Sequence, residues 1–464
     1  MTGRSSSGVP IRSESAALKV DYAVSGSGDP QVSLRSGATI HAALAVPALE
    51  GVEQDPFRAW WGSFLAGGRP AAVPATTTSQ PLRVLDLFSS VGGLSLGFLT
   101  AMQLFGLPIA EHIGVDQDRE ALAVFRRRFG GSGSGSGFVL PGSVSALVDG
   151  PISGTGDSAS FNYPPEVLEP RLRELGSVDV VLAGPPCQGH STLNNFTRGD
   201  DEKNRLYLKV PALAIALGAR FVVIENVPNV VRDSKSVVAS TIGLLRNAGY
   251  RTTQGVLAAD RFGWPQTRKR YFVLAVKETD PVPVDEVLKP AWTRDVSGVG
   301  WLLGLAAEAS QASDPLTLPT AHSEANQRRI DFLFDEGLDG LPNSERPECH
   351  QKGTSYSASY GRMSLNRPAP TITTGFTSPG RGRFIHPLER RTVNPREAAL
   401  IQGFPLNYPF VGDREVPSRT ALATWIGNAV PTILGMAAAT AVLAPVFGAG
   451  GGSLRSVPAA AAKE

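Results

Sequence analysis

The chain is poor in the residues that build covalent or metal frameworks: among 464 residues there are two cysteines, Cys187 and Cys349, and six histidines. Two distant cysteines exclude a disulfide framework, and without a CxxC pair or a His/Cys cluster no metal site is expected. Neither sign of charge dominates. The formal net charge is +2, which excludes a polybasic or polyacidic chain but still allows a local basic face. The amino terminus, MTGRSSSGVPIRSES, lacks the apolar core of a secretion signal. The one long apolar run, residues 433–447, falls short of the ~20 residues of a membrane span, so a buried helix is the expectation. Gly435, Thr440 and Pro445 interrupt that run. These absences point to a reducing cytoplasmic setting without a membrane. With 42% hydrophobic residues the chain can bury one large core and a smaller one.

Residues 1–80 are rich in Ser, Gly, Ala, Pro and Thr and are expected to form a low-complexity, poorly ordered extension, with a short self-docked helix around Phe57-Arg58-Ala59-Trp60-Trp61; docking of that aromatic patch on the core or a partner is the alternative. At Leu82 the character changes. LRVLDLFSSVGGLSLGFLTAMQLFG reads as a buried strand, a glycine turn and a helix whose free N–H groups suit an anionic group. A second strand ends in Asp116, placed to accept hydrogen bonds from a ribose. GGSGSGSG at 130–137 is a flexible tract without chemistry.

The run from Val178 to Ala183 has the length and β-branched content of a buried strand, and Gly184-Pro185-Pro186 stops it. Cys187 follows, presented beyond a strand's carboxyl end as a candidate nucleophile; an inert buried cysteine is the alternative. Glu225 closes another buried strand. Gln266, Arg268 and Arg270 alternate on an extended segment, which places them on one face; a solvated strand edge is the alternative.

The ordered blocks DLFSSVGGLSLGF, GVDQDREA, GPPCQGHS, IENVPNV, GWPQTRKRYFVLAV, NPREAALIQGFP and IGNAVP, spread over residues 82–440, resemble the DNA cytosine C5-methyltransferase family. Three positions depart from its pattern: Ser90 replaces a glycine, Gln117 an aromatic or apolar residue, and Ser143 an acidic one. The resemblance implies an α/β, Rossmann-like S-adenosylmethionine-dependent methyltransferase domain with a smaller target-recognition domain. It places the catalytic domain at 81–280, the target-recognition domain at 281–417, a carboxyl-terminal helix completing the catalytic domain at 418–447 and a flexible tail at 448–464.

By the same resemblance, methyl transfer to carbon 5 of a flipped-out cytosine in double-stranded DNA would run through a covalent adduct on Cys187. Carbon 5 is a poor nucleophile, so a thiolate must first add at carbon 6. Glu225 would manage the proton at ring nitrogen 3, Arg270 would hold the carbonyl oxygen, and positive charge from Arg268 or Arg270 would favour the thiolate. S-adenosylmethionine would lie against Phe88, Gly92, Gly93, Asp116, Pro185, Leu206, Asn428 and Val430. DNA would meet Gln188, Ser191, Gln266, Arg362, Thr371, Arg381 and Arg383, most of these arginines on phosphate. The implied protein is a cytoplasmic, nucleoid-associated monomer, with a cognate restriction endonuclease as a compatible partner. A non-catalytic binding module that keeps the fold, and an RNA cytosine methyltransferase, are the alternatives.

Overall fold

Period-two alternation begins well before residue 80. The computed structural model describes residues 19–24, 29–36, 39–46, 55–73, 80–130, 136–186, 205–232, 236–287, 289–290, 296–310, 313–351, 358–413 and 415–447. Strands β1 (Lys19–Val24), β2 (Pro30–Ser36), β3 (Thr39–Ala45) and β4 (Ala71–Val73) pair antiparallel in that order. Helix α1 (Pro56–Leu65) packs on β1 and β2. Asp55 caps it by accepting from the Phe57 amide, Pro56 opens its first turn, and Phe57, Trp60, Trp61 and Phe64 are buried. The expected poorly ordered extension over 1–80 is therefore corrected for the described part. Small residues dilute the composition, yet a strand needs only alternate apolar side chains, and Val20, Val32 and Leu34 supply them. The self-docked helix lies within α1. Trp61 meets Trp264 edge to face at 4.9 Å, and the Leu406 amide donates to the Leu65 carbonyl at 2.7 Å, so the module is fastened to the main body.

The main body is built from β5 (Leu82–Leu87), α2 (Gly93–Leu104), β6 (Ile109–Asp116), α3 (Arg119–Phe129) and β7 (Ser136–Pro141). A surface excursion follows, in which β8 (Val148–Asp149) pairs with β11 (Glu166–Val167) and β9 (Ile152–Ser153) with β10 (Ser160–Phe161), before α4 (Pro170–Leu175). The winding then resumes with β12 (Val180–Ala183), α5 (Arg205–Ala216), β13 (Phe221–Asn226), α6 (Val237–Asn247), β14 (Arg251–Ala258) and β15 (Lys269–Val276).

Seven strands form one sheet in the order β14-β15-β13-β12-β5-β6-β7, and only β15 runs antiparallel to its neighbours. The central strands are covered on both faces, which is why β12, β13 and most of β15 read as apolar runs, whereas the edge strand β14 is polar and partly exposed. Val180 and Leu182 face a core shared with α2 and α3, whereas Val181 and Ala183 face one shared with α5 and α6. This is the expected Rossmann-like α/β fold. The chain reverses its winding between β5 and β12, and the crevice at their carboxyl ends is where such sheets bind ligands.

Beyond Val276, β16 (Lys289–Pro290) runs parallel to β1, and α7 (Gly300–Glu308), α8 (Glu324–Asp335), α9 (Glu348–Gln351) and α10 (Pro395–Ile401) follow. The smaller domain expected at 281–417 is drawn more narrowly by the packing. Leu302, Ile372, Phe376 and Leu400 belong to the same buried cluster as α2, while among the described residues of this segment Ile330, Leu333, Leu341, Tyr360 and Ile385 make a separate one.

The chain returns through α11 (Arg419–Asn428) and α12 (Thr432–Phe447), and α12 is buried against α2, β13 and β15. Two glycines set that approach. A Cβ on Gly97 would stand 2.4 Å from the Thr432 carbonyl oxygen and 2.7 Å from the Gly435 Cα. Gly97→Ala is expected to destabilise the protein by about 2 kcal/mol, because neither backbone can yield without opening the helix pair. Denaturant unfolding reads this directly, and an unchanged midpoint would contradict the close packing.

Candidate active site

After Leu87 the chain turns through Phe88, Ser90 and Gly92, all left-handed at φ 59, 46 and 87. Such a run brings backbone close to whatever fills the crevice, at a cost of about 1 kcal/mol or more for each non-glycine. Ser90 thus occupies a conformation that favours the glycine it replaces. Gly92 is required for a different reason than cofactor contact: a Cβ there would lie 2.3 Å from Phe129 Cε2. It shapes the turn and is absent from the cavity lining, a correction to its expected role, whereas Gly93 does line the cavity.

Asp116 closes β6 and fixes this loop. Its carboxylate accepts from the Ser90 amide at 2.8 Å and the Asp118 amide at 2.9 Å. Burial pushes its carboxyl above the ordinary range, against the pull of those amides. Asp118 caps α3 by accepting from the Glu120 and Ala121 amides, and its second oxygen accepts from Trp425 Nε1 at 2.7 Å. A residue of α11 is thereby tied to the start of α3. Ser143, at the third strand's end, spends its hydroxyl on Ser145.

These elements enclose a cavity of about 530 Å³. Phe88, Gly93, Asp116, Pro185, Leu206, Asn428 and Val430 line it, so seven of the eight expected cofactor residues converge. Glu225 and Arg270 open into the same space. Glu225 is the penultimate residue of β13, Arg270 lies near the start of β15, and the antiparallel pairing of the two strands brings Arg270 Nε to 2.7 Å from Glu225 Oε1. Burial raises the Glu225 carboxyl above its ordinary value, although the charges of Arg270 and Arg268 oppose the shift. Asn226 steadies the neighbouring turn: its Nδ2 donates to the Pro185 carbonyl at 3.2 Å. Pro185 and Pro186 line the cavity and immediately precede Cys187 in the chain. Cys187, Gln188 and Ser191 lie outside the described residues.

The three alternating side chains of the Gln-x-Arg-x-Arg block part company. Gln266 is fully buried, its Nε2 donating to Gln402 Oε1 at 3.1 Å, so a direct DNA contact is corrected to an internal tie. Arg268 is also fully buried. Its guanidinium donates to the carbonyls of Ile372, Gly427 and Asn428, which corrects the catalytic role expected of it. The alternation itself holds, with Thr267 and Lys269 exposed between the three, but different segments close over each inward side chain.

Of the expected DNA contacts, Arg381 is exposed and Thr371 half-buried beside the buried Ile372. Arg362 stands over the Phe334 ring at 4.8 Å and faces Asp339 at 3.5 Å, while Arg383 donates to the carbonyls of Asp339 and Arg362. Arg362 and Arg383 thus meet at one surface. His386, Glu389 and Glu397 also converge, but the cation among them is Arg391, at 2.8 Å from Glu389 and 2.6 Å from Glu397. Sequence reasoning missed Asp86 and Trp425 in the cavity wall. Asp118 carried a readable signal as a helix cap; Gln402 carried none.

Residues 166–444 match the family described as C-5 cytosine-specific DNA methylase. The type II methyltransferase M1.BsuMI of Bacillus subtilis (strain 168) is 37% identical over 359 residues, covering 77% of this chain and 79% of that protein. The type II methylase M.HgiDII of Herpetosiphon aurantiacus is 28% identical over 370 residues, 77% of this chain and 94% of that protein. The solved structure of the Entamoeba histolytica methyltransferase EhMeth shares the fold, with a TM-score of 0.52 over 78% of this chain and 98% of that one at 14% identity. On the family match and the identity to its relatives, the chain belongs to the C-5 cytosine-specific DNA methylases and is a DNA cytosine-5 methyltransferase.

Proposed function

We propose that the protein transfers a methyl group from S-adenosylmethionine to carbon 5 of a cytosine flipped out of double-stranded DNA, through a covalent adduct on Cys187. One observation carries the reading. The Glu225–Arg270 pair and the turn that leads into Cys187 open into the same cavity as Phe88 and Asp116, so base chemistry and nucleoside recognition share one space. The residues fit the donor. Asp86 and Asp116 bring two carboxyl groups to the lining that can face a cationic ligand, and the first turn of α2 offers N–H groups to the donor's carboxylate.

A base within a duplex cannot reach this crevice, so it must leave the stack. The Cys187 thiolate adds to carbon 6, forming the sulfur–carbon bond and pushing electrons toward carbon 5 and ring nitrogen 3. Glu225, its carboxyl raised by burial, supplies a hydrogen bond at nitrogen 3 as density builds there, and Arg270 holds the carbonyl oxygen. When bound, the donor would supply an electrophilic methyl group; carbon 5 would take it as the methyl–sulfur bond breaks, leaving a neutral thioether. Loss of the carbon 5 proton to water then expels the thiolate and restores the ring.

Segment 281–417 would read the target, with Thr371, Arg362, Arg381 and Arg383 toward the DNA, and the type II names of the relatives suggest a restriction-modification setting. Most of those arginine contacts would position phosphate rather than specify bases.

DNA carrying 5-fluorocytosine at the target should trap the wild-type protein covalently in the presence of donor, because fluorine cannot leave as a proton does. Cys187→Ser should give no adduct while still binding donor and DNA. An adduct with the serine variant, or none with folded wild type on any cytosine target, would overturn the assignment.

Glu225→Gln should slow single-turnover methyl transfer by about 10²–10⁴-fold with donor affinity retained, the range for loss of a positioned acid. A rate within a few-fold of wild type would remove Glu225 from the chemistry.

A further inference from the structure

The cavity offers a flipped base a place but offers its phosphates none. Among the described residues that line it, the ionisable side chains are Asp86, Asp116, Asp118, Glu225 and Arg270, and Arg270 is paired with Glu225 at 2.7 Å. Arg268 is buried and already donates to the carbonyls of Ile372, Gly427 and Asn428. A flipped nucleotide stays tethered to its strand by the phosphodiester on either side of it. Those negative charges must therefore be met at the rim, by cations that are exposed and not yet engaged.

On one bank the strand that builds the site supplies such a group. Period-two alternation turns Gln266, Arg268 and Arg270 inward and leaves Thr267 and Lys269 exposed. Arg270 Nη1 donates to the Lys269 carbonyl at 2.8 Å, so Lys269 stands directly beside the guanidinium assigned to the base. No carboxylate pairs with Lys269 among the described residues.

The opposite bank is loop 372–381, which Arg268 fastens to the same strand by donating to the Ile372 carbonyl. Thr374 abuts the donor wall: a Cβ on Gly427 would stand 2.3 Å from its amide nitrogen. The loop then folds on itself, the Ser378 amide donating to the Gly375 carbonyl at 2.9 Å and the Arg381 amide to the Ser378 carbonyl at 3.2 Å. That turn lays Arg381 along Gly375, where a Cβ would come within 2.5 Å of Arg381 Cδ. The stem of Arg381 is thus seated, while the residue is exposed and pairs with no carboxylate among the described residues. Its neighbours are more engaged: Arg362 faces Asp339 at 3.5 Å, and Arg383 donates to the carbonyls of Asp339 and Arg362.

We propose that Lys269 and Arg381 clamp, from opposite banks, the two phosphodiesters that flank the flipped cytosine. The inference rests on the reading of this cavity as the receiver of that cytosine. Arg268 is the positioning residue that sets the span, since Lys269 follows it in the chain and the loop of Arg381 hangs from it. Neither clamp residue reads the base.

The probe is a duplex whose 5-fluorocytosine the wild type traps, remade with ordinary cytosine for equilibrium binding to the full chain, without donor, across a range of salt concentrations. Each phosphate contact contributes about 0.9 to the slope of log affinity against log salt. Lys269→Met and Arg381→Met should each lower that slope by about one, with thermal unfolding unchanged. Arg126→Met, exposed in the last turn of α3 and away from the crevice, should leave the slope as it is. Replacing one phosphate beside the target by a neutral methylphosphonate locates the contacts. Wild type should lose affinity at either linkage, whereas Lys269→Met should be indifferent to one replacement and Arg381→Met to the other. An unaltered slope in either variant, or the same loss as wild type at both linkages, would overturn the inference alone. Relaxed target choice by Arg381→Met would do so too, by making that residue a base reader. A folded wild type that traps no cytosine duplex would instead overturn the DNA reading, and this inference with it.

Discussion

The cavity depends on one buried guanidinium. Arg268 has no exposure and donates to Ile372, Gly427 and Asn428, carbonyls from segments more than a hundred positions away. A buried charge is tolerated only where dipoles or countercharge replace water, and three carbonyls do so here. Close packing reinforces the tie: a Cβ on Gly427 would stand 2.3 Å from the Thr374 amide nitrogen. Gln266 repeats the device through Gln402, whose Nε2 donates to the Ile426 and Ala429 carbonyls. The wall made by Trp425, Asn428 and Val430 is thus fastened to the strand that carries Arg270, and the Trp425–Asp118 hydrogen bond fastens it to the nucleoside side.

That arrangement gives the cavity two electrical halves. One side holds Asp86 and Asp116, both raised by burial and without a basic side chain bonded to either in the contacts described, which suits a cationic ligand. The other holds Glu225 and Arg270 as a close pair, which suits a neutral heterocycle whose electron density shifts during reaction. The sheet order explains why they share a space. β5 and β12 are adjacent, β6 flanks one side and β13 the other, so four strand ends deliver the donor loop, Asp116, the Pro185–Pro186 turn and Glu225 to one crevice.

Sequence reading reached those strand ends because their signals are local. A β-branched run stopped by glycine and proline, or by an acidic residue before a helix cap, fixes both the strand and what stands at its end, as for Asp116, Pro185 and Glu225. It failed where the answer lay in distant partners. Alternation put Gln266, Arg268 and Arg270 on one face but could not show that 372, 402 and 427–428 would close over the first two. Gly92 looked like a ligand contact because its real constraint, the Phe129 ring, comes from another helix. The amino-terminal strands were hidden by small residues, although Val20, Val32 and Leu34 keep the alternation.

The central claim is that Arg268 acts by holding the donor wall and Arg270 by meeting the base. Equilibrium S-adenosylmethionine binding by Arg268→Met and Arg270→Met, each with its fold verified by thermal unfolding, separates the two most directly. The account predicts that Arg268→Met loses donor affinity although Arg268 is not part of the cavity lining, and that Arg270→Met keeps donor affinity and loses methyl transfer. Unchanged donor binding in Arg268→Met, with the loss appearing in Arg270→Met, would contradict it.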